Sequence, residues 1–460
     1  MSLAAVLARV DADLDAALAR LFDLVRIPSI SADPAFKADV ARAADWCAAE
    51  LTSLGFQATV RPTTGHPMVV ADWTGKTAKA HPHVLFYGHY DVQPVDPLEL
   101  WTKPPFEPFV GTRTDGTKFI HGRGSADDKG QFMTFIEACR AHLAETGMLP
   151  CPVTILLEGE EESGSPSLGA FLDSHKDELS KDVALICDTG MWNATTPAIT
   201  ASLRGLVGEE VTIDAATVDL HSGLYGGAAL NPVRVLAKIL AGLHDDTGAV
   251  TLPGFYDGVA ELPDDIKASW EALDLTPASF LAPVGLSEPA GETGRSMAEQ
   301  LWARPTCEFN GISGGYAGEG FKTVLPAKAQ AKVSFRLVPG QDPDKIRAAF
   351  RAYVTANAPK DAKVSFKPHG GSPGLIMPFD DPILTTAQQA LSEEWGVKAE
   401  IIGGGGSIPI VGDFRRRLGM ASLLVGFGLD DDRVHSPNEK YEMSSFHKGI
   451  RSWARILAAL

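Results

Sequence analysis

Three apolar runs of this 460-residue chain, residues 84–87, 153–157 and 183–187, lead directly into residues that bind protons or cations. The first is followed by Gly88-His89-Tyr90-Asp91, the second by Glu158-Gly159-Glu160-Glu161-Glu162 and the third by Asp188. A fourth run occupies 422–427, and helical patterns lie between several of them. The clearest helix is 129–146, where Phe132, Phe135, Ile136, Cys139 and Leu143 recur with a 3.6-residue period before Gly147. This alternation predicts an α/β fold whose mostly parallel sheet is flanked by helices. Open sheets of that kind bind ligands beyond the carboxyl ends of their strands. His89, the glutamates and Asp188 are therefore expected at one edge.

The length exceeds what a single core usually fills, so two domains are expected. From about 205 the texture changes. Residues 207–213 alternate as a strand should, 232–244 and 344–356 read as helices, and 331–338 reads as another strand. This order suits a small α+β domain of the ferredoxin-like, split βαβ type. Strand-like character of the first kind resumes only after Gly370, so the small domain reads as an insertion. The expected division is 1–204 with 370–460 for one domain and 205–369 for the other. Residues 251–293 read as a loop or short helices, His369 as a hinge residue or else a substrate contact, and 4–25 as one amphipathic helix.

Charge narrows the function. Lys and Arg number 41 against 58 Asp and Glu, a net charge of −17 that disfavours nucleic acid and anionic membranes as partners. No run of about 18 apolar residues is present, and the N-terminal helix lacks a signal peptide's uninterrupted core. Five cysteines without a Cys-x-x-Cys pair suggest reduced thiols in a cytoplasm.

Against that background the polar strand ends resemble a cation site. Residues at i and i+2 of an extended segment point the same way, so one of His89 and Asp91 can ligate while the other orients it. Alone, this pair would read as a turn with a solvated acid, and Asp127 as a helix N-cap. The glycine-braced turn Gly122-Arg123-Gly124-Ser125-Ala126-Asp127 and the loop Arg433-Val434-His435 supply the missing members. Two histidines and three or more carboxylates without cysteine suit Zn²⁺ or Mn²⁺ in a paired site. Two dications about 3.5–4 Å apart require an anion between them. Of the adjacent Glu161 and Glu162, one can ligate while its neighbour serves as general base.

Four segments together resemble the di-metal hydrolases that include acetylornithine deacetylase, carboxypeptidase G and the carnosinases. They are Gly88-His89-Tyr90-Asp91-Val92, Gly124-Ser125-Ala126-Asp127-Asp128-Lys129-Gly130, Glu158-Gly159-Glu160-Glu161-Glu162 and His435-Ser436-Pro437-Asn438-Glu439. Asp219-Leu220-His221-Ser222-Gly223 and Phe335-Arg336-Leu337 resemble, more narrowly, the cytosolic non-specific dipeptidase and carnosinase branch. The resemblance implies two divalent cations per subunit, Zn²⁺ foremost, with Mn²⁺ or Co²⁺ as alternatives. Asp127 would bridge them, His89 and Asp188 completing one site and Glu162 and His435 the other. Glu161 would activate a water held between the cations, and Asp91 would hold the His89 ring. His221 would reach from the small domain of one homodimer subunit to stabilise the oxyanion in the other. Arg336 would grip the substrate's terminal carboxylate, with Thr323 and Ser407 as further contacts. A cis peptide is implied at Asp127-Asp128.

The activity so implied is hydrolysis of small peptides by a cytoplasmic metallo-dipeptidase that dimerises through its lid domain. Asp188, where many deacylases of the group have glutamate, favours the dipeptidase side. The run Gly403-Gly404-Gly405-Gly406-Ser407 departs from carnosinase-like sequences, which tend to carry an acid just before the Gly-Ser. That departure keeps an N-acyl-amino-acid deacylase as the alternative. A non-catalytic scaffold would predict damaged ligand positions, and every one is filled.

Overall fold

The computed structural model describes residues 2–406 and 408–460. The chain divides into two compact units. One comprises Met1–Ala201, Met377–Ile402 and Asp413–Leu460, the other Ser202–Ile376 and Gly403–Gly412.

The apolar runs form the centre of the first unit. Val84–His89 lies between Val153–Glu158 and Val183–Ile186 and is parallel to both, and Ala421–Leu424 continues the parallel order beyond Val183–Ile186. Every residue of the first three strands is buried, the burial expected of parallel strands covered on both faces. Gln57–Arg61 and Met68–Asp72 extend one side antiparallel. Helix Lys129–Thr146 stacks Phe135 on Phe86 with ring centroids 3.8 Å apart. Trp453, from helix Met443–Ala459, meets both rings edge-on at 5.8 and 5.4 Å. Truncating a buried tryptophan in such a cluster costs about 3–5 kcal/mol. Gly147, at φ 68°, ends the first of these helices in the left-handed region, its N–H donating to Leu143 O at 2.9 Å.

The N-terminal helix expected over 4–25 is instead two, Leu3–Ala12 and Leu14–Val25. Asp13 leaves helical geometry at φ −98°, ψ 5°, where its carboxylate accepts from Arg9 Nε at 2.6 Å. All five cysteines are buried and unpaired.

In the second unit an antiparallel sheet has the order Thr306–Gly314, Lys328–Leu337, Gly205–Asp214, Lys363–Ser372. Gly205–Asp214 alternates strictly between buried and half-buried positions, so one face carries the core. Helices Pro232–Ala241 and Pro343–Asn357 begin at Asn231 and Asp342, whose side chains accept backbone N–H groups ahead of a proline. They bury Leu236, Ile239, Ile346 and Phe350 in one cluster with Val211, Val333 and Phe335. This is a two-layer α+β arrangement. By contacts it runs over Ser202–Ile376 with Gly403–Gly412 instead of 205–369, and His369 pairs with Gly208 inside a strand that continues through a bulge to Ser372. Residues 251–293 include the short helices Asp264–Glu271 and Pro277–Phe280.

Candidate metal centre

Glycines bring the site's backbone together. A Cβ on Gly88 would lie 2.6 Å from Phe132 Cβ and 2.9 Å from Asp128 Oδ2, so the strand passes this close to the helix only as glycine. Gly122 and Gly124 have φ of 145° and 83°, turning the chain into Asp127. The Asp127-Asp128 peptide is cis, as the resemblance implies. Asp128 Oδ2 then accepts the His89 N–H at 3.1 Å, fixing the strand end to the turn.

One buried acid organises that turn. The Glu439 carboxylate accepts from Gly124 N at 3.0 Å, Ala126 N at 2.9 Å, Asp127 N at 3.2 Å and Arg123 Nη1 at 2.7 Å. In the sequence Glu439 stands at the end of the His435 segment with nothing to mark this task, since its partners lie more than 300 residues away.

The five predicted ligands converge in the first unit. Asp127 Oδ1 lies 3.1 Å from His89 Nε2 and Oδ2 lies 3.0 Å from His435 Nε2. Asp188 Oδ2 is 3.9 Å from His89 Nε2, and Glu162 Oε2 is 3.1 Å from His435 Nε2. His89, Asp127 and Asp188 form one donor set and Asp127, Glu162 and His435 a second, each with ligand atoms within 4.8 Å of one another. Two ligands of a zinc tetrahedron are ~3.3 Å apart, as its ~2.0 Å bonds require, so the donors fit a pair of cations that share Asp127.

Supporting acids complete the geometry. Asp91 is fully buried; its backbone carbonyl lies 3.1 Å from His89 Nδ1 and its carboxylate 3.4 Å away. The carboxylate oxygens accept from Ser31 Oγ at 2.6 Å, Glu161 N at 3.3 Å and Glu162 N at 3.0 Å. Gln93 Nε2 donates to Glu162 Oε2 at 2.7 Å. Glu160, third member of the acidic triplet, is turned inward, accepting from His66 N at 2.7 Å and Ser167 N at 3.0 Å. Glu161 belongs to neither donor set.

The charges show why cations suit this cluster. Burial, reinforced by Asp188, Asp91 and Asp127 against the attraction of His89, pushes Glu161 up to about 7. Asp188 is likewise pushed to about 7 by burial and by Asp127. Hydrogen bonds with Asp127 and Glu162 raise His435 to about 10. Burial opposes the ionised form of Asp127, yet the bonds from His435 and His89 hold its carboxyl well below the usual range. Without cations, the site thus keeps its charges in check with imidazolium protons.

The remaining predicted residues belong to the second unit. His221 and Thr323 are exposed neighbours: the short strands Leu220–His221 and Val324–Leu325 pair, and Thr323 O accepts Ser222 N at 3.0 Å. His221 Nδ1 accepts Gly223 N at 2.9 Å, leaving Nε2 as the outward nitrogen. Arg336, on Lys328–Leu337, lines a cavity of about 920 Å³. Ser407 lies outside the described residues. Gly403, in the run where an acid was missed, could not carry one: a Cβ there would sit 2.4 Å from Trp302 Cβ.

Comparison with known proteins finds relatives over nearly the whole chain. The chain is 32% identical over 453 residues to the Cys-Gly metallodipeptidase DUG1 of Candida albicans, covering 94% of this chain and 92% of that protein. It is 29% identical over 393 residues to the Beta-Ala-His dipeptidase of Homo sapiens, covering 84% and 76%. The solved structure of the di-peptidase Dug1p from Saccharomyces cerevisiae matches with a TM-score of 0.76 at 27% identity, over 100% of this chain and 98% of that one. The model of peptidase family M20/M25/M40 matches residues 85–459, a span that opens in the His89 strand and closes in the last helix, and the chain belongs to that family.

Proposed function

We propose that the protein is a dinuclear metallodipeptidase that releases two amino acids from a dipeptide. The observation that carries this reading is Asp127, whose two carboxylate oxygens each face a different histidine-containing donor set. His89 and Asp188 would hold one cation with Asp127, and Glu162 and His435 the other. Histidine and carboxylate without thiolate suit Zn²⁺ foremost, with Mn²⁺ or Co²⁺ as alternatives. When bound, the cations supply Lewis acidity toward the scissile carbonyl and toward water.

The chain's own groups then do the following. Asp91 orients the His89 ring and, through the Glu161 and Glu162 N–H groups, the loop that carries the base. Glu161, which belongs to neither donor set, takes the proton of the attacking water and returns it to the leaving amine as the C–N bond breaks. His221 donates to the carbonyl oxygen as charge develops on it, serving the site of a partner subunit in a homodimer formed through the second unit. Arg336 binds the free carboxylate, assisted by Thr323 and Ser407.

Relatives named for Cys-Gly and Beta-Ala-His dipeptides favour a dipeptide over the N-acyl-amino-acid alternative. No helix among the described residues is long and apolar enough to cross a membrane, and the unpaired cysteines favour the cytoplasm. The deciding experiment is a panel of Ala-Ala, Cys-Gly, β-Ala-His, Ala-Ala-Ala and N-acetyl-alanine, assayed with Zn²⁺ and Mn²⁺. Cleavage of dipeptides above the others is expected; a preference for N-acetyl-alanine would replace the reading with that of a deacylase.

A further inference from the structure

The cavity in the second unit that contains Arg336 has a second guanidinium in its wall, that of Arg204. Arg204 sits where strand Ala198–Leu203 passes to Gly205–Asp214, and it is held by carbonyls alone. Its backbone N–H donates to Gly404 O at 3.1 Å, its Nε to Gly405 O at 3.0 Å and its Nη1 to Gln300 O at 3.4 Å. Among the described residues neither Arg204 nor Arg336 forms an ion pair. The nearest acidic influence on Arg204 is Glu308, an exposed residue of the same cavity wall. Glu292, also in that wall, is engaged by Arg304 at 2.9 Å. The two arginines line one cavity with no acid among the described residues in ion-pair contact with either, and the burial of Arg204 is costly. Burial and then the like charge of Arg336 push Arg204 down to about 10. An anion relieves both costs, and a carboxylate has lone pairs enough to accept from two guanidinium groups.

We propose that Arg204 is the second arm of the carboxylate subsite, binding the C-terminal carboxylate of the substrate together with Arg336. The proposal rests on the dipeptidase reading for its substrate, although a free carboxylate is common to dipeptides and N-acyl-amino acids. Its bonds to Gly404 and Gly405 give Arg204 a fixed position, so the guanidinium is organised before the ligand arrives. They also tie the glycine run to the subsite, where a Cβ on Gly405 would lie 3.3 Å from Arg204 Nη2.

The test compares a carboxylate with its amide. For the metal-loaded Arg204→Met enzyme, kcat/KM on Ala-Ala is expected to fall about 10- to 100-fold, mainly through KM, as for loss of a hydrogen bond to a charged group. On Ala-Ala amide the same variant should change by less than about threefold. Arg204→Lys, which keeps the charge and loses the fork, should recover part of the acid preference, and it replaces the methionine variant if that does not fold. Equal losses on acid and amide would mean that Arg204 only braces the glycine run, and would overturn the proposal, as would unchanged kinetics. If the wild type cleaves N-acetyl-alanine and no dipeptide, the dipeptidase reading fails by itself. N-acetyl-alanine and its amide then decide the role of Arg204 by the same ratio.

Discussion

Asp91 accepts the backbone N–H of Glu162 at 3.0 Å through its carboxylate, and its backbone carbonyl lies 3.1 Å from His89 Nδ1, so one buried residue touches members of both donor groups. The same side chain reaches the Glu161 N–H at 3.3 Å. Side chains that the sequence separates by about 70 residues thus share one reference point.

For Asp91→Asn the volume is kept and the charge is lost. The Glu161 and Glu162 N–H groups bond different carboxylate oxygens, and an amide accepts only through its one oxygen, so its NH₂ meets one of the two as donor against donor. A fall of about 10- to 100-fold in kcat/KM or in metal affinity is expected, the usual effect of losing a ligand's supporting acid. Steady-state kinetics combined with metal analysis of the purified variant separates the two. Wild-type values for both would show that Asp91 orients nothing of consequence.

Glu161→Gln removes the proton acceptor and leaves both donor sets intact. Turnover should drop by roughly 10²- to 10⁴-fold, the range for a positioned general base. Metal content should equal that of the wild type. Retained full activity would exclude Glu161 as the base.

The sheet and its polar strand ends are readable in the sequence because a strand buried on both faces has to be apolar until it reaches its functional edge. His89 and Asp188 announce themselves that way. Asp127 is readable because glycines at 122 and 124 mark a turn needing positive φ. Glu439 is not, since its value lies in accepting three N–H groups more than 300 residues distant. The same holds for Arg204, whose partners are carbonyls of the glycine run and of Gln300. Gly403–Gly412 joins the second unit for a comparable reason: the bond from Arg204 N to Gly404 O is tertiary and leaves no local periodicity. The break at Asp13 escapes notice because the amphipathic pattern continues across it.

Cation binding should release protons. In the metal-free protein His435, raised to about 10, is imidazolium at neutral pH, and His89 is raised as well; ligation requires both neutral. The raised His435 pKa stabilises the metal-free fold fully below its unfolded value of about 6.5 and ceases to do so as pH rises through about 10. Asp188, raised to about 7, must also be ionised to ligate, so metal affinity should increase with pH above neutrality, with about two to three protons released per chain at pH 7. Calorimetric titration in buffers of different ionisation enthalpy measures that release. No dependence of the apparent heat on the buffer would contradict it.

His221 provides the test of subunit cooperation. Its Nδ1 is engaged as an acceptor by Gly223 N at 2.9 Å, so the exposed Nε2 carries the donor proton that an oxyanion needs. His221→Ala alone should be nearly inactive, and so should Glu161→Gln. Suppose His221 serves the partner's site. A mixed dimer of the two variants then holds one intact combination, Glu161 from one chain and His221 from the other. With free exchange at equal amounts half the dimers are mixed and each has one working site of two, so activity should recover to about a quarter of wild type. Kinetics after mixing, with subunit exchange verified by differently tagged chains, distinguishes this from action within a single chain, for which mixing restores nothing.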